Sequence, residues 1–192
     1  MMIKIFLDNN VFDFLFEKNI DISKEFPIDK FIICIPREIK FESEHIKLQE
    51  KNDFVRQLID KEIVQIHTYF GYYDDRHFED KQRIGGYDEG EYMCVEEGIF
   101  LNELVVSFLD ESSKHIKHNL YKQEGDIALA VRSVMNIVIS NDVKEGKSKK
   151  KGPLNLAFDK GYRVVFLNGF VEGMSLNNYI KEQLLSRDLQ AW

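Results

Sequence analysis

The sequence predicts an α/β domain, a central and mainly parallel five-stranded sheet with helices on both faces, giving three layers. Three observations carry this expectation. Apolar runs too short for helices recur along the 192 residues, and each is rich in strand formers. A stretch of helical length and composition follows most of them. Strands that alternate with helices pair in parallel, because only a long crossover returns the chain to the same end of the sheet.

The first strand is Ile3-Lys4-Ile5-Phe6-Leu7, which ends abruptly in Asp8-Asn9-Asn10. Val11 to Phe16 then has the apolar content of a helix, stopped near Lys18-Asn19. Residues 21 to 30, with Pro27 and several charges, read as a connection. Phe31 to Ile35 is the second strand, and Pro36 after it suits a first helical turn. From Arg37 to about Asp60 there is no glycine or proline, which predicts one long helix. Ile63 to His67, with β-branched residues in alternation, is the third strand.

Residues 69 to 92 mix aromatics, acids and glycines without period, and the wider segment 69 to 118 reads as an insertion, a lid or a partner-binding region. Within it, Glu91 to about His118 carries one helix or two. Gly125-Asp126 opens a helix through Val131, and Ile137 to Ile139 is a fourth strand ending in Ser140-Asn141-Asp142. Gly152-Pro153 starts a short helix that Gly161 closes. Tyr162 to Leu167 is the fifth strand, and Ser175 caps a last helix reaching about Arg187. Residues 1 to 192 therefore read as one domain, without internal repeats.

Composition narrows the function. A 44% hydrophobic and 31% charged chain is ordinary for a globular protein. A net charge of −7 argues against binding nucleic acid through bulk charge, though not against a local basic rim. Cys34 and Cys94 are too few for a disulfide framework or zinc cluster, and Cys34 reads as a small core residue. No run of 18 apolar residues and no signal-peptide pattern is present, so a cytoplasmic protein with no membrane contact is expected.

Four carboxylates stand out by position. Asp8 ends the first strand and Asp142 the fourth; Asp126 opens the helix leading into the fourth. Glu42 lies three residues past Ile39 and four before Ile46, on the shoulder of an apolar helical stripe. Each has a plain structural alternative: Asp8 and Asp126 as helix caps, Asp142 as a turn residue, Glu42 as a solvated charge. Together they point elsewhere. Ligand crevices in open α/β sheets lie beyond the carboxyl ends of the strands. Acids gathered there raise one another's pKa unless a divalent cation sits among them. Hard oxygen donors suit Mg²⁺ or Mn²⁺, and such ions activate water against phosphodiesters.

The order of motifs resembles the PIN-domain nucleases: Leu7-Asp8-Asn9-Asn10-Val11, then Ile35 to Glu42, then Gly125 to Ala130, then Ile137 to Asp142. The similarity runs from residue 3 to about 167. It implies a PIN-like fold and a Mg²⁺- or Mn²⁺-dependent ribonuclease, often in bacteria the toxin of a toxin–antitoxin or defence pair. Asp8, Glu42, Asp126 and Asp142 would be the catalytic, metal-binding quartet, with Asn10 and Ser140 in supporting polar positions. Glu38 and Glu44 are neighbouring alternatives for the helix acid. Residues 69 to 118 are longer than compact toxins need. An antitoxin or other protein partner, and a homodimer, are left open.

Lys147, Lys149, Lys150 and Lys151 follow Asp142 directly and are a candidate RNA-backbone contact, against the alternative of a solvated loop. The five histidines show no ligand spacing apart from His115 and His118, which fit a solvated helix end. Two other readings compete with the nuclease. One is a catalytically silent PIN-like module that binds protein or RNA. The other is a receiver-like phosphate-handling domain, disfavoured because the third strand ends in His67-Thr68 rather than an acid.

Overall fold

The structure is a computed structural model and describes residues 2–69, 85, 90–109, 120–142 and 151–192. Its elements in order are β1 (Ile3–Leu7), α1 (Asn9–Glu17), α2 (Ile22–Glu25), β2 (Phe31–Pro36), α3 (Arg37–Ser43), α4 (Gln49–Asp60), β3 (Val64–Tyr69), β4 (Gly90–Glu91), α5 (Val95–Phe108), α6 (Glu124–Arg132), β5 (Ile137–Ser140), α7 (Pro153–Asp159), β6 (Val164–Phe166) and α8 (Leu176–Leu185). The strands form one six-stranded sheet in the order β4-β3-β2-β1-β5-β6, and every pairing is parallel.

The α/β class and the parallel sheet agree with the sequence; the strand count does not. The sixth strand, β4, lies near the end of the stretch read as without period and as a lid or partner-binding region. It pairs only Thr68 with Gly90 and Tyr69 with Glu91. Its residues have no β-propensity to announce it. Glycine permits it: a Cβ on Gly85 would come 2.7 Å from the Gly90 Cα.

Other boundaries shift for local reasons. The single helix expected over 37 to 60 is two helices with a turn between them. Near the break, Ser43 Oγ donates to the Lys40 carbonyl (2.8 Å) and His45 Nδ1 lies 3.0 Å from the Phe41 carbonyl. Side chains that compete for helix carbonyls favour an ending there. The connection at 21 to 30 contains the one-turn α2, capped by Asp21. The last strand is shorter than expected, because Leu167–Gly169 turns into a 3₁₀ segment. The α8 helix starts as expected, with Ser175 Oγ accepting from the Asn178 amide. Gly161, at φ +84°, closes α7 where an L-residue would be strained.

Both faces of the sheet are covered. Successive strand side chains point to opposite sides, and Ile5, Phe6 and Leu7 are all buried. On the Phe6 face, α6 contributes a buried arginine. The Arg132 guanidinium donates to the carbonyls of Ala128 (2.9 Å) and His67 (3.2 Å) and lies 4.1 Å over the Tyr69 ring. Tyr69 donates its hydroxyl proton to Glu97 (2.8 Å), and Glu97 also receives the Cys94 amide in a capping box at the start of α5. This hub fastens α5 and α6 to the edge of the sheet. Cys34 is the core residue expected, its thiol pushed up to about 12 by burial. No described helix is long and apolar enough to cross a membrane.

Candidate active site

The strand order places the site. From β1 the chain proceeds outward through β2, β3 and β4, then returns to β1's other side with β5 and β6. The reversal at β1 and β5 is a topological switch point, where loops leaving neighbouring strands diverge and open a crevice. Leu7 pairs with Ile139, so Asp8 and Ser140 stand side by side at the carboxyl ends.

Asp8 does two jobs. It caps α1, accepting the Asn9 amide at Oδ1 (2.7 Å), so the plain structural role is real. Its other oxygen, Oδ2, accepts the Ser140 hydroxyl at 2.6 Å. Ser140 Oγ in turn accepts from the Asp142 amide (3.1 Å) and faces Asn10 Nδ2 (3.4 Å). Asn10 Oδ1 accepts from the Asn141 amide at 2.7 Å. Asn10 and Ser140 therefore tie the loop after β5 to the loop after β1, with the two aspartates held on either side of one hydroxyl. Asp8 is almost fully buried, and desolvation followed by the charge of Asp142 pushes its carboxyl above the ordinary carboxylate range. The hydrogen bonds from Ser140, Asn9 and Asn10 oppose that rise without cancelling it.

Glu42 and Asp126 arrive from the flanking helices. Glu42 lies in the last turn of α3 and Asp126 in the first turn of α6. The contact between these helices depends on Gly125: a Cβ there would fall 2.7 Å from Glu42 Oε1 and 3.1 Å from Ile39 Cδ1. Gly125 thus seats Glu42 beside the start of α6. Burial raises the Glu42 pKa to about 8, and the charges of Asp8 and Asp126 push the same way, followed by Glu38 and Glu124. Asp8 and Asp126 thus act on Glu42, and Asp142 acts on Asp8.

The alternatives for the helix acid separate. Glu44 is the C-cap residue of α3, exposed and 3.9 Å from Lys40. Glu38 adds to the field on Glu42, and its Oε2 is a buried atom without a hydrogen-bond partner among the described residues. Nothing in the sequence marks Asn9, whose Oδ1 is also buried and unbonded beside Asp8. Nor does anything mark Glu124, which accepts the Tyr121 amide at 2.8 Å.

Among the described residues no three His, Cys, Asp or Glu side chains are disposed to grip one ion together. Lys147, Lys149 and Lys150 lie outside the described residues, as do His77, His115 and His118. Lys151 is described, and it pairs with Asp159 of α7. Comparison of the chain with protein-family models, curated proteins and solved structures found no match.

Proposed function

We propose that this protein is a metal-dependent endoribonuclease of the PIN-domain kind, hydrolysing RNA phosphodiester bonds at the crevice beyond β1 and β5. The observation that carries the reading is geometric: Asp8 and the Asp142 loop are tied through Ser140 and Asn10 at a topological switch point, with Glu42 seated beside the start of α6 by Gly125. Glu42 is raised to about 8 by burial and by Asp8 and Asp126, and Asp8 is raised by burial and by Asp142. Unneutralised, such a cluster opposes folding; a divalent cation among the acids removes the penalty.

The residues present fit Mg²⁺ or Mn²⁺. Asp8 and Asp142 would hold the ion directly, and Asp126 and Glu42 would orient its waters. When bound, the ion supplies a water acidic enough to attack phosphorus near neutral pH. The chain supplies the orientation. Ser140 and the Asn9 amide engage both oxygens of Asp8 and hold it in one rotamer. Asn10 keeps the Asp142 loop in register through the Asn141 amide. Glu42, with a pKa of about 8, can hold or release a proton in the range where a hydrolase works.

The test is cleavage of tRNA, rRNA, single-stranded RNA and single-stranded DNA with Mn²⁺, Mg²⁺ or EDTA, with Asp8→Asn beside the parent. Metal-dependent RNA cutting that is absent in Asp8→Asn is the expected result. Folded protein that takes up Mn²⁺ yet cuts no substrate would overturn the nuclease and leave a silent binding module.

A further inference from the structure

Helix α5 is built inside out. Phe100 and Leu104 bury one side of it, yet the opposite side is apolar too: Val95, Ile99 and Val106 are 82%, 65% and 88% exposed. At about 100° per residue these three and Asn102 fall within about 60° of arc, so they form one stripe along the helix. The charges of α5 turn to the body of the protein instead. Glu97 accepts from Tyr69 and from the Cys94 amide, Glu96 hydrogen-bonds the Tyr162 side chain, and Glu103 pairs with Lys160 at 3.0 Å. A surface helix ordinarily shows the reverse arrangement, and a contiguous apolar stripe left to water marks an interface. The stretch 69 to 118 that holds α5 is longer than compact PIN toxins need, so the resemblance does not account for the stripe.

We infer that this stripe is covered by the same stripe of a second copy of the chain, the two α5 helices pairing antiparallel about a two-fold axis. The spacing is self-complementary. An axis crossing α5 between Phe100 and Leu101 sets Val95 opposite the partner's Val106 and Ile99 opposite the partner's Asn102, because the members of each pair lie equally far from it along the helix. A two-fold contact requires one surface that fits itself in this way. Near the axis the Asn102 side chains of the two copies come close, and one polar residue in an apolar helical seam fixes its register. Gly98 on the shoulder of the stripe lets the helices approach, since even a Cβ there would meet nothing within 4 Å.

Charge agrees. Antiparallel pairing brings like shoulders together, so the Glu96 and Glu103 shoulders of the two copies would meet. Lys160, held at Glu103, sets a cation into that row and makes it mixed rather than purely acidic, which matters in a chain of net charge −7. A 14-residue helix is only ~21 Å long. The contact is therefore small beside the ~1,600 Å² of a standard interface, and the dimer should dissociate on dilution.

The experiment is sedimentation equilibrium of the full chain over a concentration series, without RNA or added metal. The parent is compared with Val95→Asp, with Val106→Lys and with the two combined. Both positions are exposed, and an acid in the first turn and a base in the last suit the helix dipole, so all three variants should fold; thermal melts at low concentration check this. The parent should move from 22.6 kDa toward twice that mass as concentration rises. Each single substitution should weaken the dimer about tenfold or more, because it sets a lone charge against an apolar side chain. The combined variant should recover most of that loss, since the new aspartate then faces the partner's new lysine at both ends of the seam. A parent that stays at monomer mass throughout would overturn the inference and assign the stripe to a different protein. Single variants that associate as the parent does would overturn it as well. A combined variant no better than the singles would rule out the antiparallel register on which it stands.

Discussion

Two polar clusters flank the same sheet, and they are built on opposite terms. At the Arg132 hub a buried cation meets two carbonyls and an aromatic face, and Tyr69 and Glu97 complete each other. Its donors have acceptors and its charge is dispersed over polar neighbours. At the crevice beyond β1 and β5, acids face acids, Asp8 and Glu42 are raised, and buried oxygens of Asn9 and Glu38 have no hydrogen-bond partner among the described residues. Polar groups that satisfy one another hold a fold together. Polar groups that strain against one another mark where a ligand site is to be sought.

This contrast can be broken from either side. The largest effect should come from the hub. Arg132→Met keeps bulk but strips Tyr69 and the His67 carbonyl of their cation, and should lower unfolding free energy by about 2–4 kcal/mol in urea. Asp8→Asn should do the reverse. Asparagine caps helices as well as aspartate does, and it relieves repulsion with Asp142, so stability should stay within about 1 kcal/mol of the parent. RNA cleavage by Asp8→Asn should fall more than about 100-fold, beyond the loss usual for a residue that only supports a metal ligand. If Asp8→Asn unfolds the protein, or Arg132→Met leaves it intact, the two clusters have been assigned the wrong way round.

A smaller pair of effects concerns two helical glycines. Gly125→Ala drives a methyl group into Glu42 Oε1 and Ile39, and should destabilise by about 1–3 kcal/mol and displace Glu42. Gly98→Ala in α5 meets nothing within 4 Å and should stabilise by up to about 1 kcal/mol. Thermal melts of both variants give the comparison directly, and equal shifts would show that Glu42 is not seated by Gly125.

A further effect is on pH dependence. An acid raised from 4.5 to about 8 on folding binds more protons folded than unfolded across that window. Stability therefore falls as pH rises through it. Melting temperature in EDTA should decline between pH 5 and about 8 on this account, and Glu42→Gln should flatten the decline. Added Mn²⁺ should flatten it too, because a bound cation favours the charged form. A Glu42→Gln slope identical to the parent's would remove Glu42 from the acidic cluster.

How much of this was legible in the chain depends on the range of the interaction. Asp8 and Asp142 are readable because an apolar strand stops at each, and strand ends define the crevice of a parallel sheet. Glu42 is half-readable: periodicity places it beside the buried stripe, but its seat is fixed by Gly125, far along the chain. The Arg132 hub is not readable at all. It joins Tyr69, Glu97 and Arg132 across three elements, and none of the three is unusual in its own neighbourhood. The strand β4 escapes for the opposite reason: two residues, one a glycine, form it only because a partner strand is already there.

The Ser140 hydroxyl has a chemical consequence. It has one proton, which goes to Asp8, and its lone pairs face the Asp142 amide and the Asn10 side chain. The residue is wholly buried as well. This hydroxyl is thereby shielded from substrate and serves to hold Asp8 and the Asp142 amide in place. On the proposed nuclease reading, Ser140 would then be a positioning group, and the oxygen gained by a cleaved phosphate would have to come from another source.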